Sequence, residues 1–374
     1  MKKASFLYVS FVMLLCSFYA CDKPQVEPSS LLRKNTLGIN QNPSADSVGL
    51  NGIYVLSMDQ EQVPGGSIGY YDFNTGTYDP DRFFSANGYN IGPYPTDMER
   101  YGSKIYVTVT YARAVEVLDA VTLVSQARIP FPDGDAPYVG PSYIASAAGK
   151  VFISCADGFV RRIDTSSLTI DGSLFTGGEQ MDMAVSGNSL YVNVLHGDYE
   201  PEDTFRLPVI DIPSFTLDTT LKFLNQPIKA KTGNDGNVYV HLTADYYGPV
   251  QPPAGLISIN PTTNIVTDLG YGAAIDGMAT RGDSLWVINA FQPLRIYNTV
   301  SGGWQAVSYT KPPDMRYTPV RIEVNRTNGD FAILDSQENS VWDYTKFYYY
   351  DHSGNMLFWY QTHRYPTDML FMYK

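Results

Sequence analysis

The amino-acid sequence predicts an all-β protein, namely a single seven-bladed β-propeller of four-stranded blades over residues 51–374. Its ring is expected to be closed by the C-terminal strand, which pairs with the N-terminal blade. Three observations lead to this prediction. A tight turn followed by an alternating apolar strand recurs seven times, the copies are spaced like propeller blades, and a motif that precedes one copy returns at the end of the chain.

The repeated unit is a small turn and a strand of the kind Asn188-Ser189-Leu190-Tyr191-Val192. The first apolar residues of successive copies are separated by 52, 46, 39, 48, 47 and 46 residues, a period that suits a blade of four short strands. These first residues are Ile53, Ile105, Val151, Leu190, Val238, Leu285 and Phe331. A pair of β-sandwiches and a β-helix are the rival architectures. Sandwiches do not produce seven similar periods, and a β-helix uses shorter coils.

Ring closure is predicted from a near-duplicate motif. Tyr94-Pro95-Thr96-Asp97-Met98 recurs as Tyr365-Pro366-Thr367-Asp368-Met369, where no further blade follows. We therefore expect the segment from Asp368 to Tyr373 to be the innermost strand of the first blade, paired with the strand at Ile53. Such a strand leaves fewer backbone edges exposed.

The N-terminal residues 1–20 read as a signal peptide, because a basic start at Lys2 and Lys3 is followed by an almost uninterrupted apolar stretch. The segment from Phe18 to Cys21 resembles the lipobox of bacterial lipoproteins, although Phe18 replaces the usual aliphatic residue. Cys21 is thus the predicted lipidation site. Ordinary cleavage and an uncleaved membrane helix are the alternatives. Residues 21–50, rich in Pro, Ser, Asn and Gln, are predicted to form a flexible tether.

Composition excludes one class of partner. The chain carries 26 Lys and Arg against 38 Asp and Glu, a net charge of -12, which has the wrong sign for binding a phosphate backbone. No nucleic-acid partner is therefore expected. The three cysteines cannot build a disulfide framework, and Cys155 lies in an apolar strand, where we expect a small buried side chain.

Long, aromatic and proline-containing connections are expected to gather on one face of the propeller. They join second to third strands or one blade to the next, whereas the turns between first and second strands are tight. Tyrosines in such loops can stack an apolar ligand face and donate hydrogen bonds. The candidate ligand-binding residues are Tyr94, Tyr111, Tyr138, His196, Tyr199, Tyr246, Tyr247, Phe291, Tyr317 and Tyr365.

No catalytic residue, cofactor or metal site is predicted. The four histidines lie in different repeats and lack ligand spacing. Aspartates recur near the start of the innermost strands and are expected around the mouth of the central channel. They have two interpretations, a cation or acid–base site and, alternatively, hydrogen bonding to backbone amides. These residues are Asp97, Asp182, Asp276 and Asp368.

Over Leu50 to Lys374 the chain resembles the YncE-like propeller lipoproteins of gut Bacteroidetes. The resemblance rests on phrases such as Ser67-Ile68-Gly69-Tyr70-Tyr71-Asp72, Val115-Glu116-Val117-Leu118-Asp119-Ala120 and Arg162-Ile163-Asp164-Thr165. Within that group it is similar to the BtuG surface lipoproteins, which capture cobalamin and pass it to a TonB-dependent transporter.

The resemblance implies a lipid-anchored protein of the outer membrane, at the cell surface, that binds a corrinoid and hands it to such a transporter. The matching phrases are strands of the blade core, so no binding residue of the family is carried over. Two other functions remain open: glycan binding beside a polysaccharide importer, and catalysis by a propeller lyase or hydrolase.

Overall fold

Seven antiparallel four-stranded sheets make up the fold of the computed structural model. The structure describes residues 34–35, 49–58, 65–132, 140–195, 205–244, 252–312, 319–335 and 345–373, all within one compact unit spanning residues 32–374. The innermost strand of every sheet contacts the innermost strands of both neighbouring sheets, which closes the ring. The predicted seven-bladed β-propeller is therefore confirmed.

Strands are numbered along the chain, and each blade is given from its innermost to its outermost strand. Blades one to three are β29 (Pro366–Tyr373), β2 (Leu50–Ser57), β3 (Ser67–Asp72) and β4 (Thr77–Asp79); β5 (Pro95–Tyr101), β6 (Lys104–Val109), β7 (Ala114–Asp119) and β8 (Ser125–Pro130); and β9 (Pro141–Ala147), β10 (Lys150–Cys155), β11 (Phe159–Asp164) and β12 (Thr169–Phe175).

Blades four to seven follow in the same order. They are β13 (Glu179–Ser186), β14 (Ser189–Leu195), β15 (Phe205–Asp211) and β16 (Thr216–Phe223); β17 (Gln226–Thr232), β18 (Val238–Thr243), β19 (Gly255–Ile259) and β20 (Val266–Asp268); β21 (Gly277–Arg281), β22 (Ser284–Asn289), β23 (Gln292–Asn298) and β24 (Gly303–Val307); and β25 (Pro319–Val324), β26 (Phe331–Asp335), β27 (Lys346–Tyr350) and β28 (Met356–Gln361).

The C-terminal strand closes the ring as the duplicated motif predicts. Strand β29 pairs antiparallel with β2, so that Phe371 lies opposite Ile53 and Met369 opposite Val55. Without β29, the inner edge of β2 would present unpaired backbone groups at the channel.

Blade seven carries an additional short strand on its outer edge. Strand β1 (Lys34–Asn35) pairs antiparallel with β28, with Lys34 opposite Tyr360 and Asn35 opposite Trp359. These two residues belong to the predicted tether, so part of that segment adds backbone hydrogen bonds to the propeller.

The core lies between neighbouring blades. Alternate residues of a strand point to opposite faces of its sheet, and in β2 Ile53 and Val55 pack toward blade seven while Tyr54 and Leu56 pack toward blade two. Both faces of the sheet are covered, which explains why the second strands are almost continuously apolar. Cys155 is fully buried and unpaired in such a layer, as expected.

One short helix, α1 (Arg82–Asn87), lies in the connection from blade one to blade two. The sequence does not predict this helix, because six residues are too few to show a helical repeat of apolar positions. Phe83 anchors it in the core. The Asn87 side chain donates hydrogen bonds to the carbonyls of Phe83 and Leu123, at 2.9 Å each, which ties the helix to blade two.

The two faces of the propeller differ in their connections. First and second strands are joined by tight turns on one face, the turn face, where Gly102 (φ 63°) and Gly187 (φ 57°) adopt the left-handed backbone that such turns require. The connections between blades and those between second and third strands begin and end on the opposite face, the loop face.

Candidate functional site

The loop face opens into a cavity of about 520 Å³ at the mouth of the central channel. Its wall combines tyrosines and methionines with charged side chains of both signs. The cavity is lined by Met58, Tyr94, Thr96, Asp97, Tyr143, Met181, Asp182, Ile228, Lys229, Lys231, Gly277, Met278, Val320, Arg321, Tyr365, Pro366 and Thr367.

A second chamber of about 260 Å³ lies further along the channel. It shares four lining residues with the first cavity: Asp97, Asp182, Lys231 and Arg321. The chamber also contains Glu99, whose pKa is raised to about 7 by burial, the Ser146 hydroxyl acting in the opposite sense. These four charged residues therefore lie at the boundary between the cavity and the chamber.

A β-bulge in the innermost strand determines which side chains line this channel. In blades one to five and in blade seven, the pairing of the first and second strands shifts register near the start of the innermost strand. Such a bulge reorients the next side chain. The residues at the equivalent site, here named the channel position, are Asp368, Asp97, Tyr143, Asp182, Lys229, Gly277 and Arg321.

The sequence pattern predicted the acidic members of this set but not Lys229 and Arg321. A signal was available, because in five blades a proline is the first or second residue of the innermost strand and the channel residue follows two positions later. The five are Pro95-Thr96-Asp97, Pro141-Ser142-Tyr143, Pro227-Ile228-Lys229, Pro319-Val320-Arg321 and Pro366-Thr367-Asp368. Proline suits the first residue of a strand, where no ladder hydrogen bond is lost.

Aspartates at the channel position join neighbouring blades. Asp368 accepts a hydrogen bond from the Met98 N–H at 3.0 Å. Asp97 accepts one from Ile144 N–H at 2.8 Å, and Asp182 accepts one from Ala230 N–H at 3.1 Å. In each case the donor belongs to the next blade, so the carboxylates satisfy inward-facing backbone donors. This is the second of the two interpretations that the sequence left open.

Asp276 differs from the other three aspartates. It lies one residue before the channel position, which is occupied by Gly277, and it accepts a hydrogen bond at 2.8 Å from Ala290 in its own blade. Asp276 therefore does not share the channel position of the other three aspartates, because β21 begins one residue later than the pattern implied.

Burial and mutual proximity control the protonation of Asp97 and Asp368. Burial raises the pKa of both carboxyl groups above the ordinary aspartate value, and the neighbouring Asp368 raises that of Asp97 further. Arg321 opposes this effect, since its Nε lies 2.9 Å from Asp368 Oδ1. Two buried carboxyls and one guanidinium therefore hold less charge than three isolated groups would.

Tyr94 and Tyr365, both predicted ligand contacts, line the cavity with the same unusual backbone. Their φ angles are 61° and 49°, left-handed values that are uncommon for bulky residues. Hydrogen bonds hold them there, because Thr110 N–H donates to the Tyr94 carbonyl and Met58 N–H donates to that of Tyr365, each at 3.0 Å. The duplicated motif thus places two tyrosines at the mouth.

Tyr111 and Phe291 lie on the loop face but do not line the cavity. Tyr111 stacks on Tyr94, with ring centroids 4.3 Å apart and planes inclined by 16°, and 43% of it is exposed. Phe291 is 90% exposed. The other predicted ligand contacts, Tyr138, His196, Tyr199, Tyr246, Tyr247 and Tyr317, lie outside the described residues, as does Cys21.

The histidines His241 and His363 are in the described residues and do not line the cavity. His241, on β18, is buried, and burial together with the nearby Lys229 lowers its pKa to about 3, so its imidazole stays neutral. His363 lies 2.8 Å from Asp81, which precedes helix α1.

Within the described residues no group of three or more His, Cys, Asp or Glu is arranged to hold a metal ion. In the same residues no helix is long and apolar enough to span a bilayer.

Comparisons with known proteins agree with the fold. A quinonprotein alcohol dehydrogenase-like protein from Bacteroides thetaiotaomicron is similar with a TM-score of 0.63 and 16% identity, over 87% of this chain and 78% of that one. Hydrazine synthase from Kuenenia stuttgartiensis is similar with a TM-score of 0.53 and 16% identity, over 72% and 86%. No protein-family model and no curated protein matches the chain.

These similarities define the class of this protein as a β-propeller and go no further. Proteins with different functions share the architecture, and a structure of the mitotic checkpoint complex also contains a similar chain, with a TM-score of 0.51 and 12% identity over 70% of this chain and 74% of that one. At such identities only the fold is common, so function has to be argued from the site.

Proposed function

We propose that this protein is a binding protein that captures a small molecule at the loop-face cavity. The cavity of about 520 Å³, walled by tyrosines and methionines on a rigid ring of strands, is the observation that supports this proposal. Concave sites with an amphipathic wall are typical of small-molecule binding. The nearby aspartates at the channel position accept backbone hydrogen bonds, which favours a role in holding the cavity together over a role in catalysis.

The ligand that we propose is a corrinoid such as cobalamin. A corrin macrocycle presents a broad face rimmed by amide side chains, so it requires aromatic contact and hydrogen-bonding partners together. Tyr94 and Tyr365 supply both at the mouth, and the stacked Tyr111 extends the aromatic surface outward. The edge of the macrocycle would enter the cavity while the remainder lies across the loop face.

The same proposal includes an anchor and a partner. A lipid on Cys21 would hold the protein at the outer membrane, exposed at the cell surface, and a TonB-dependent transporter would receive the ligand. Two experiments test the anchor and its location. Protease treatment of intact cells reports whether the protein is exposed at the cell surface, and labelling with radioactive palmitate reports whether it carries a lipid. Loss of both surface exposure and label in Cys21→Ala is expected, and unchanged label in that variant contradicts it.

Titration of the full-length, detergent-solubilised protein with cyanocobalamin tests the ligand. We expect saturable binding with one site per chain and an affinity reduced about tenfold by Tyr94→Ala, the loss of one aromatic contact. Val121→Ala, at an exposed position on the turn face, is the matched control and should bind normally. Absence of heat at micromolar protein removes the corrinoid from the proposal.

Glycan binding is the second candidate, and the exposed aromatics favour it. Phe291, on the loop face, is 90% exposed, so packing in the core does not account for its aromatic side chain. Exposed aromatic faces of this kind can stack on sugar rings. A glycan array separates the two ligands. Selective glycan binding that is lost in Phe291→Ala, together with no response to cyanocobalamin, would assign the site to a polysaccharide uptake system.

A further inference from the structure

The charged side chains around the loop-face cavity differ in whether the protein itself supplies their hydrogen-bond and ion-pair partners. Of the acids that line it, Asp97 and Asp182 each accept a hydrogen bond from a backbone N–H of the next blade. Asp182 accepts a further one from Met183 N–H at 3.0 Å. The acids are therefore already used by the protein itself.

The Arg321 guanidinium is used in the same way. Its Nε lies 2.9 Å from Asp368 and 3.2 Å from Glu323, so two carboxylates share it. These contacts raise the pKa of Arg321 and keep it charged, although burial acts against them. Arg321 is thus a structural cation between blades one and seven.

Lys229 and Lys231 are different. They are alternate residues of β17, so both side chains leave the same side of the strand, and both line the cavity. In the described part of the chain, neither ammonium group makes a hydrogen bond or an ion pair. The cavity therefore holds two cations whose hydrogen-bonding capacity is left for a ligand.

Lys229 is partly buried and has no hydrogen-bonding or ion-pair partner among the described residues. Burial lowers its pKa, and the neighbouring Arg321 and Lys231 lower it further, while Asp182 and Asp276 act in the opposite direction. The neutral His241 lies opposite Lys229 in the β17–β18 pair. An ammonium group in these surroundings gains more from an anion than an ammonium group in water does.

Apolar side chains surround the two lysines. Met181, Ile228, Met278 and Val320 line the same cavity, and Tyr143 occupies the channel position of blade three. Such a wall accepts an apolar or aromatic body, and a body seated there would reduce the contact of the ammonium groups with water, which strengthens their interaction with an anion.

We propose that the loop-face cavity is selective for ligands that carry an anionic group, a carboxylate or a phosphate, on an apolar body, and that Lys229 with Lys231 binds this group. The inference deepens the proposed capture function and depends on that function being located in this cavity. It does not depend on the ligand being a corrinoid.

Proton uptake distinguishes this role from a purely structural one. Only the ammonium form of Lys229 binds the anion, and the anion raises its pKa toward the ordinary lysine value. Binding is therefore complete below the pKa of Lys229 in the free protein and is lost as pH rises through the higher pKa of the complex. Near the pKa of the free protein, the complex takes up a fraction of a proton.

The test uses two isosteric probes, 2-naphthoate and 2-naphthamide, and the full-length protein. Isothermal titration at neutral pH is expected to give the carboxylate an affinity about tenfold or more above that of the amide. Lys229→Gln should remove most of this preference and Lys229→Arg should keep it. Lys104→Gln, on a turn-face hairpin, is the control. Repeating the titration at alkaline pH in buffers of different ionisation heat measures the proton taken up.

Equal affinities for the two probes, no detectable binding of 2-naphthoate at about 1 mM, or a preference that survives in the Lys229→Gln, Lys231→Gln double variant would each overturn the inference. Thermal unfolding of every variant verifies that it is folded. If Lys229→Gln does not fold, Lys231→Gln is titrated in its place, with Lys229→Arg as the variant that keeps the positive charge. A failed cyanocobalamin titration with a strong naphthoate preference would reject only the corrinoid, whereas the reverse result would reject only the anion site.

Discussion

Asp97 accepts a hydrogen bond at 2.8 Å from the backbone N–H of Ile144, which belongs to the following blade. The contact connects two innermost strands whose backbones do not pair with each other. Asp182 and Asp368 make equivalent contacts with the blades that follow theirs. These three hydrogen bonds between neighbouring innermost strands are here called the inner seam. Side chains that line the channel therefore also determine how the blades are spaced.

Removing this carboxylate should weaken the seam. Asp97→Ala leaves the buried Ile144 N–H without an acceptor and is expected to lower the free energy of unfolding by about 1–3 kcal/mol. Asp97→Asn keeps an acceptor oxygen and should cost less. Urea denaturation of the two variants measures the difference, and an alanine variant as stable as the asparagine variant would contradict the role given to this bond.

Glu99 should make stability depend on pH near neutrality. Its folded pKa of about 7 lies above its ordinary value of 4.5 because of burial. A raised carboxyl pKa contributes stability that is complete below the unfolded pKa and is lost as pH rises through the folded pKa. We expect the free energy of unfolding to fall by on the order of 1–3 kcal/mol between about pH 4.5 and pH 8.

Glu99→Gln identifies the source of that pH dependence. The amide does not ionise, so the variant should lose this part of the slope while keeping the slope that Asp97 and Asp368 contribute. Denaturation curves recorded at several pH values provide the comparison. An identical slope in the wild type and in Glu99→Gln would show that other groups are responsible.

The left-handed backbone at Tyr94 predicts an inversion of the usual effect of glycine. At a residue with φ of 61°, glycine avoids the Cβ penalty that alanine pays, so Tyr94→Gly should be more stable than Tyr94→Ala by about 0.5–1 kcal/mol. Thermal unfolding measures this difference. At Thr96, on the adjoining strand, the same two substitutions should give the opposite order.

Deleting residues 366–374 should abolish cooperative folding. The deletion removes β29 with its buried Met369, Phe371 and Met372, and it exposes the inner edge of β2. Circular dichroism on heating should show no sharp transition, whereas a chain without Lys374 alone should melt normally. A normal transition in the longer deletion would mean that the other blades hold the ring closed without this strand.

Period and composition were sufficient to predict the number of blades, the strand order and the closing strand. Each blade repeats the same local pattern, and the second strands are buried on both faces, so their apolar character is visible in the sequence. Helix α1 was not predicted, because a helix of fewer than two turns leaves no periodic signal. Of the predicted ligand contacts, Tyr94 and Tyr365 line the cavity, while Tyr111 stacks outside it and Phe291 points to solvent.

Local pattern by itself therefore determined that this chain forms a propeller whose C-terminal strand completes the first blade, since strand repeats and buried faces depend on near neighbours in the sequence. Only the tertiary structure decided the chemistry at the axis. In six of the seven blades, a bulge near the start of the innermost strand turns a side chain toward the channel, and this brings Lys229, Arg321 and Asp368 to the axis from positions far apart in the chain. Which charges then neutralise one another depends on distances across the ring that the sequence does not contain.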